Sequence, residues 1–186
     1  MKTNPLDRIA NLKQAFNLKP TQGYVMEFGV GVGRSLRILR AMTAQQIHAF
    51  DSFAGLPEDW IMSDDYVVPA GEFSYEKPTE FDNVMFHEGW FADTIPIWKK
   101  TYHANISFIH IDSDIYSSAV TILTELNHQI VPGTILVFDD MYGTDRYQNW
   151  ENGEYKALNE WKAEYKRELY ELNRTDDGEA SFRILQ

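Results

Sequence analysis

The stretch Met26-Glu27-Phe28-Gly29-Val30-Gly31-Val32-Gly33-Arg34-Ser35 constrains this chain more than any other part of it. It reads as a buried strand running into a glycine turn that opens a helix. Glycines let backbone N–H groups come close to a ligand, and the first turn of the helix that follows offers unpaired donors. The glycines fall at every second position, Gly29, Gly31 and Gly33, so the turn lacks the extra residue that the dinucleotide fingerprint places before its third glycine. A nucleotide-type pocket fits this pattern, and so does a tight strand-to-helix turn with no ligand. Residues 46–50 read as a second strand ended by Asp51, about twenty residues past the glycines, where a carboxylate in this architecture accepts hydrogen bonds from ribose hydroxyls. A solvated carboxylate at a strand end is the plainer alternative.

The rest of the chain alternates in the same way. Asn4-Pro5 with Leu6, Ile9 and Phe16 predicts a capped helix ending before Pro20, followed by a strand over 24–30 and a helix over 35–42. From 52 to 83 the periodicity fails, with Pro69, Gly71 and Pro78 interrupting it. The aromatic residues Phe53, Trp60, Tyr66, Phe73 and Tyr75 argue against disorder there, so a lid over a substrate is expected, with a short helix near Tyr75. Strands follow at 84–87 and 106–112, separated by a helix that runs through Trp98. Ser113 can cap a long helix in which Ile115, Ala119, Ile122, Leu123, Leu126 and Ile130 keep helical spacing, and Pro132-Gly133 is expected to turn the chain into a strand over 134–138. A helix marked by Tyr155, Leu158, Trp161 and Tyr165 precedes two strands, 169–172 and 181–185, joined through Thr175-Asp176-Asp177-Gly178. This is an α/β pattern: one domain over 1–186, a mostly parallel seven-stranded sheet finished by an antiparallel hairpin, and helices on both faces.

Charge narrows the function. A formal net charge of −11 disfavours nucleic acid, whose phosphates are bound by clustered Lys and Arg. No apolar run approaches a membrane span, and residues 1–17 carry no signal-like core, so a cytosolic protein is expected. With no cysteine, any metal must be held by carboxylates or histidines. Glu27, Asp51, Asp112, Asp139 and Asp140 all fall at the carboxyl ends of predicted strands, the rim where open parallel sheets bind ligands. Neighbouring strand ends lie only about 5 Å apart. Acids gathered at that spacing call for a cation, and a hard divalent ion such as Mg2+ suits oxygen ligands, although a helix-capping or solvated role for each remains open.

Several blocks together resemble class I S-adenosylmethionine-dependent methyltransferases, and within them the macrocin O-methyltransferase family, which methylates sugar hydroxyls of macrolide antibiotics. The blocks are 27–35, the run His48-Ala49-Phe50-Asp51-Ser52-Phe53-Ala54-Gly55-Leu56-Pro57-Glu58, Gly89 with Asp93-Thr94-Ile95-Pro96, His110-Ile111-Asp112-Ser113-Asp114-Ile115-Tyr116-Ser117-Ser118, and 132–140. The resemblance implies a Rossmann-like methyltransferase fold. It also implies a donor site at Glu27, Phe28, Gly29, Gly31, Gly33, Ser35, Asp51, Ser52, Gly89 and Asp112. In that site the glycine turn carries the methionine end of S-adenosylmethionine, and Asp51 the ribose. It further implies a Mg2+ site at Asp112, Asp139 and Asp140. Asp112 is the candidate general base or its orienter, with His87, His110 and Tyr142 as alternatives; His110, between Ile109 and Ile111, also reads as a core residue.

The family carries a longer N-terminal region and an aromatic-then-histidine pattern where this chain has Met141-Tyr142-Gly143, so the expected acceptor is a sugar or small polyol rather than a macrolide. A phenol or catechol acceptor, a nicotinamide-dependent reductase and a cofactor-binding module without catalysis are the rival readings. Aromatic residues on the lid and first helix suggest a homodimer.

Overall fold

The structure is a computed structural model that describes residues 7–186. The Asn4-Pro5 cap and Leu6 lie outside the described residues. The first helix, α1 (Arg8–Asn17), is capped by Asp7, whose side chain accepts from the Ala10 amide at 2.7 Å. The chain continues through β1 (Tyr24–Phe28), α2 (Arg34–Met42), β2 (Ile47–Asp51), β3 (Trp60–Ser63), β4 (Tyr66–Val68) and β5 (Val84–Glu88). It then forms α3 (Phe91–Lys99), β6 (Ile106–Ile111), α4 (Tyr116–Leu126), β7 (Ile130–Phe138), α5 (Glu154–Tyr165), β8 (Leu169–Arg174) and β9 (Ala180–Ile184).

Seven strands form one sheet in the order β5-β2-β1-β6-β7-β9-β8. The first five are parallel, β9 runs antiparallel to β7, and β8 pairs antiparallel with β9. Strand order reverses between β1 and β6, which opens a crevice at their carboxyl ends. Side chains alternate across the sheet. Val25, Ile47, Ala49, Phe108, Ile135 and Val137 pack beneath α1 and α2, while Met26, Phe28, Phe50, Ile109, Leu136 and Phe138 pack beneath α3, α4 and α5.

Four local expectations are corrected. No helix forms near Tyr75; instead β3 and β4 make a separate antiparallel hairpin within 52–83. That hairpin is tied to the loop after β7: the Gln148 and Asn149 amides donate to the Met62 carbonyl at 2.8 and 2.9 Å, the Asn149 side chain donates to the Ile61 carbonyl, and Trp60 packs edge-on against Tyr147. Ser113 does not cap α4, which starts at Tyr116 with no side-chain cap; the left-handed backbone of Asp114 (φ 61°) intervenes. Ile130 is not helical but opens β7, because the chain turns at 127–129. Pro132-Gly133 does not break the strand. It sits in an irregularity of β7, where Ile106 pairs with Ile130 but Phe108 pairs with Ile135, and the Thr134 hydroxyl satisfies the ladder by donating to the Ile106 carbonyl.

Between β2 and β5, His48 Nδ1 lies 3.1 Å from His87 Nε2, and the His87 ring stacks on Phe50. Burial lowers both imidazoles to about 4, with His87 adding repulsion on His48. Their folded values lie below the unfolded one, so the pair contributes stability that is complete above about pH 6.5 and lost as pH falls towards 4. Long-range 1H–15N NMR titration is expected to give midpoints near 4 for both rings; a midpoint near 6.5 for either would contradict this packing. His87 is thereby committed to the sheet and does not line the crevice.

Candidate active site

The glycine turn is built by interlocking backbone. Gly29 donates to the Phe50 carbonyl at 3.0 Å, and the Asp112 amide donates to the Phe28 carbonyl at 2.8 Å, so the ends of β2, β1 and β6 are held together. Gly29 has φ +83°, and a Cβ there would fall 1.7 Å from the Asp112 carbonyl oxygen. No other residue fits this position.

Asp51 does more than end β2. Its Oδ2 accepts from the amides of Val30 (2.7 Å) and Gly31 (2.8 Å), and its Oδ1 accepts from Phe53 (2.7 Å). A carboxylate offers about four acceptor positions. Three are used in shaping the turn, which leaves room for one further hydroxyl, such as that of a ribose.

A cavity of about 610 Å3 opens at this point, within the range of small-molecule sites. Of the residues singled out from sequence, Gly29, Gly31, Ser35, Asp51, Ser52, Asp112, Asp139 and Asp140 line it. Glu27, Phe28, Gly33 and Gly89 stand behind the wall. Glu27 is fully buried rather than on the rim, its Oε1 3.1 Å from His110 Nδ1. Phe28 stacks on Phe50 at 4.6 Å, Gly33 begins α2 against Phe81, and the Gly89 amide donates to the Asp51 carbonyl. His110, engaged with Glu27, belongs to this supporting layer.

The acids divide differently from the sequence expectation. One carboxylate oxygen from each of Asp112, Asp114 and Asp140 lies within 4.8 Å of the others. Asp139 instead pairs with Arg8 of α1 and groups with His110 and Glu179. Asp139 and Asp140 lie in the bend after β7 and diverge, Asp139 drawn to Arg8, whereas the left-handed backbone at Asp114 turns its carboxylate back towards Asp112 and Asp140. Burial raises all three clustered carboxyls, and the neighbouring acids raise Asp114 and Asp140 further, Asp140 to about 7. Crowded carboxylates with oxygen donors fit a hard divalent cation.

Two residues were missed. Asp114 had a readable signal, the Asp-x-Asp spacing from Asp112. Glu154, at the start of α5, had none, since it reaches this cluster only through the fold; burial and then Asp140 raise its carboxyl to about 8.

A second, polar cavity of about 1130 Å3 adjoins the first and shares Arg8 and Asp140 with it. Tyr142, Trp150 and Arg174 line it. Tyr142 donates to Glu171 at 2.6 Å, lies under the Arg174 guanidinium and has its phenol raised, first by burial and then by Glu171. A phenol held that way is a poor base. Asp112 is the candidate base that remains on the cavity.

The family model described as macrocin-O-methyltransferase (TylF) matches residues 3–167. The chain belongs to the macrocin-O-methyltransferase family. Like the expected architecture, its sheet is that of class I methyltransferases: it superposes on the calicheamicin methyltransferase CalS11 with TM-score 0.74 and 20% identity, covering 94% of this chain and 77% of that one. The O-methyltransferase NovP gives TM-score 0.68 at 19% identity over 96% of this chain and 80% of that one. A curated relative is the 8-demethyl-8-(2,3-dimethoxy-alpha-L-rhamnosyl)-tetracenomycin-C 4'-O-methyltransferase of Streptomyces olivaceus, 29% identical over 142 residues. The match covers 63% of this macrocin-O-methyltransferase family member and about half, 52%, of the length of that relative. No helix among the described residues is long and apolar enough to cross a membrane.

Proposed function

We propose that the protein is an S-adenosylmethionine-dependent O-methyltransferase acting on a hydroxyl of a sugar or other small polyol, with Mg2+ held by Asp112, Asp114 and Asp140. One observation carries the reading: the two cavities meet at Asp140, within the acid cluster. The donor belongs in the cavity under the glycine turn, where Asp51 has one acceptor position left for a ribose hydroxyl. The acceptor belongs in the polar cavity, whose lining combines the aromatic Trp150 with the hydrogen-bonding groups of Thr144, Gln148 and Arg174. The relative from Streptomyces olivaceus, named for methylation of a rhamnosyl compound, supports this choice.

S-adenosylmethionine supplies a methyl group on a cationic sulfur, to which a cavity lined by Asp51, Asp112 and Asp140 is electrostatically suited. Bound Mg2+ lowers the pKa of a hydroxyl it touches. The chain's own part would be positioning: Asp51, held by the turn amides, would hold the donor's ribose, and the junction of the cavities would bring the acceptor hydroxyl to the donor. Asp112 takes or orients the hydroxyl proton at its carboxylate.

Radiolabelled donor assayed against glycosides, nucleotide sugars, polyols and catechols tests the reading. Methylation of a sugar or polyol, stimulated by Mg2+ and suppressed by EDTA, is the expected result. Turnover of catechols with none of any sugar or polyol would overturn the acceptor class, and undiminished turnover in EDTA would overturn the cation.

A further inference from the structure

Glu154 is the first residue of α5, fully buried, and all its side-chain hydrogen bonds among the described residues go to other elements. Its Oε1 accepts from the Ser113 amide (3.2 Å) and the Ser113 hydroxyl (2.9 Å), and its Oε2 accepts from the Asp140 amide (3.2 Å). Ser113 stands between Asp112 and Asp114. One carboxylate therefore bridges the segments that carry all three clustered acids, from a helix that supplies none of them.

The surroundings show that this bridge is held from outside the acid loops. A Cβ on Gly153 would fall 1.9 Å from the Tyr147 hydroxyl, so the start of α5 is packed against the Tyr147 side chain. Ser113 spends its hydroxyl on Glu154 and takes no part in α4, whose N-cap is Ile115. Burying an acid beside other acids is unfavourable, so the contact favours the geometry of the cluster at the expense of local stability.

We infer that Glu154 is a positioning residue that sets the separation of Asp112, Asp114 and Asp140 for a divalent cation, an inference that rests on the cation site proposed above. Outer carboxylates that hold ligand-bearing groups typically change metal affinity by about 10- to 100-fold when replaced. In Glu154→Gln the shape is kept, but an amide NH2 must face either the Ser113 or the Asp140 N–H.

The test compares wild type, Glu154→Gln and Ser113→Ala by calorimetric titration of each protein with Mn2+ alone, and by methyl transfer as a function of Mg2+. Glu154→Gln is expected to weaken Mn2+ binding and raise half-saturating Mg2+ by about tenfold or more, with the KM for S-adenosylmethionine within about twofold of wild type. Ser113→Ala, which removes one hydroxyl, is expected to shift both in the same direction by about threefold. Unchanged Mn2+ affinity in Glu154→Gln, with wild type binding Mn2+ normally, overturns the role of Glu154 and leaves the cation site standing. Equal losses in Mn2+ affinity and donor KM also overturn it, because a general structural defect moves both. No Mn2+ uptake by wild type overturns the cation site and this inference together.

Discussion

Asp112→Asn is expected to lower methyl transfer by about three orders of magnitude while raising the unfolding midpoint of the ligand-free protein. The two effects have one origin. Asp112 is held beside Asp114 and Asp140; burial raises all three carboxyls, repulsion from Asp112 raises Asp114 and Asp140 further, and at Asp112 itself His110 and Arg8 offset only part of the rise. An acid whose folded pKa exceeds its unfolded value is a liability once pH rises through that window, because the folded state must then hold the charge. Removing one charge relieves the others. A gain of about 3 °C corresponds to about 1 kcal/mol in a chain of this size. It is expected to be largest above pH 7, where Asp140 ionises, and to vanish below pH 4. Circular dichroism melts in EDTA at both pH values, with radiolabel transfer on the same samples, check both halves. A fall in melting temperature at pH 8 would contradict the repulsion.

Gly29→Ala has the second large effect. The new Cβ would meet the Asp112 carbonyl oxygen, which is fixed backbone, at a φ of +83° that alanine rarely adopts. Because the Gly29 and Asp112 amides tie three strand ends together, the clash cannot be relieved locally. A loss of more than about 3 kcal/mol, near 10 °C, is expected together with loss of donor binding. Gly71 provides the internal control. Its φ is also +83°, but an added Cβ meets nothing within 4 Å, so Gly71→Ala isolates the backbone cost and should lose only about 1 kcal/mol. Thermal melts of the two variants and calorimetric titration with S-adenosylhomocysteine separate steric clash from backbone strain. Similar losses in both would remove the clash from the explanation.

Much of the sheet was legible because its central strands carry their own signal. Buried runs such as Ile106–Ile111 are mostly apolar, broken only by Ser107 and His110, and end in acids or glycine, so both their place and the rim they create follow from local pattern. The hairpin of β3 and β4 was not legible. Its strands are four and three residues long, several of their side chains are exposed, and Trp60 and Val68 find their partner in Tyr147, far along the chain. The site divides along the same line. Asp51 and the glycine turn could be read from spacing, whereas the parting of Asp139 from Asp140 depends on which face each presents once β7 ends. Arg8 decides it further, by crossing from α1 to pair with Asp139. Glu154 lies beyond any local pattern, since its three contacts depend on how α5 docks.

The hairpin's attachment also has a kinetic consequence. One end of the 52–83 segment hangs from Asp51 through the Phe53 amide, and further along it Ile61 and Met62 are sewn to Gln148 and Asn149, a few residues beyond Asp140. With donor and acceptor placed as proposed, a swing wide enough to release spent donor would loosen the wall of the neighbouring trough in the same movement, so departure of one product and arrival of the next acceptor are expected to share a single hinge.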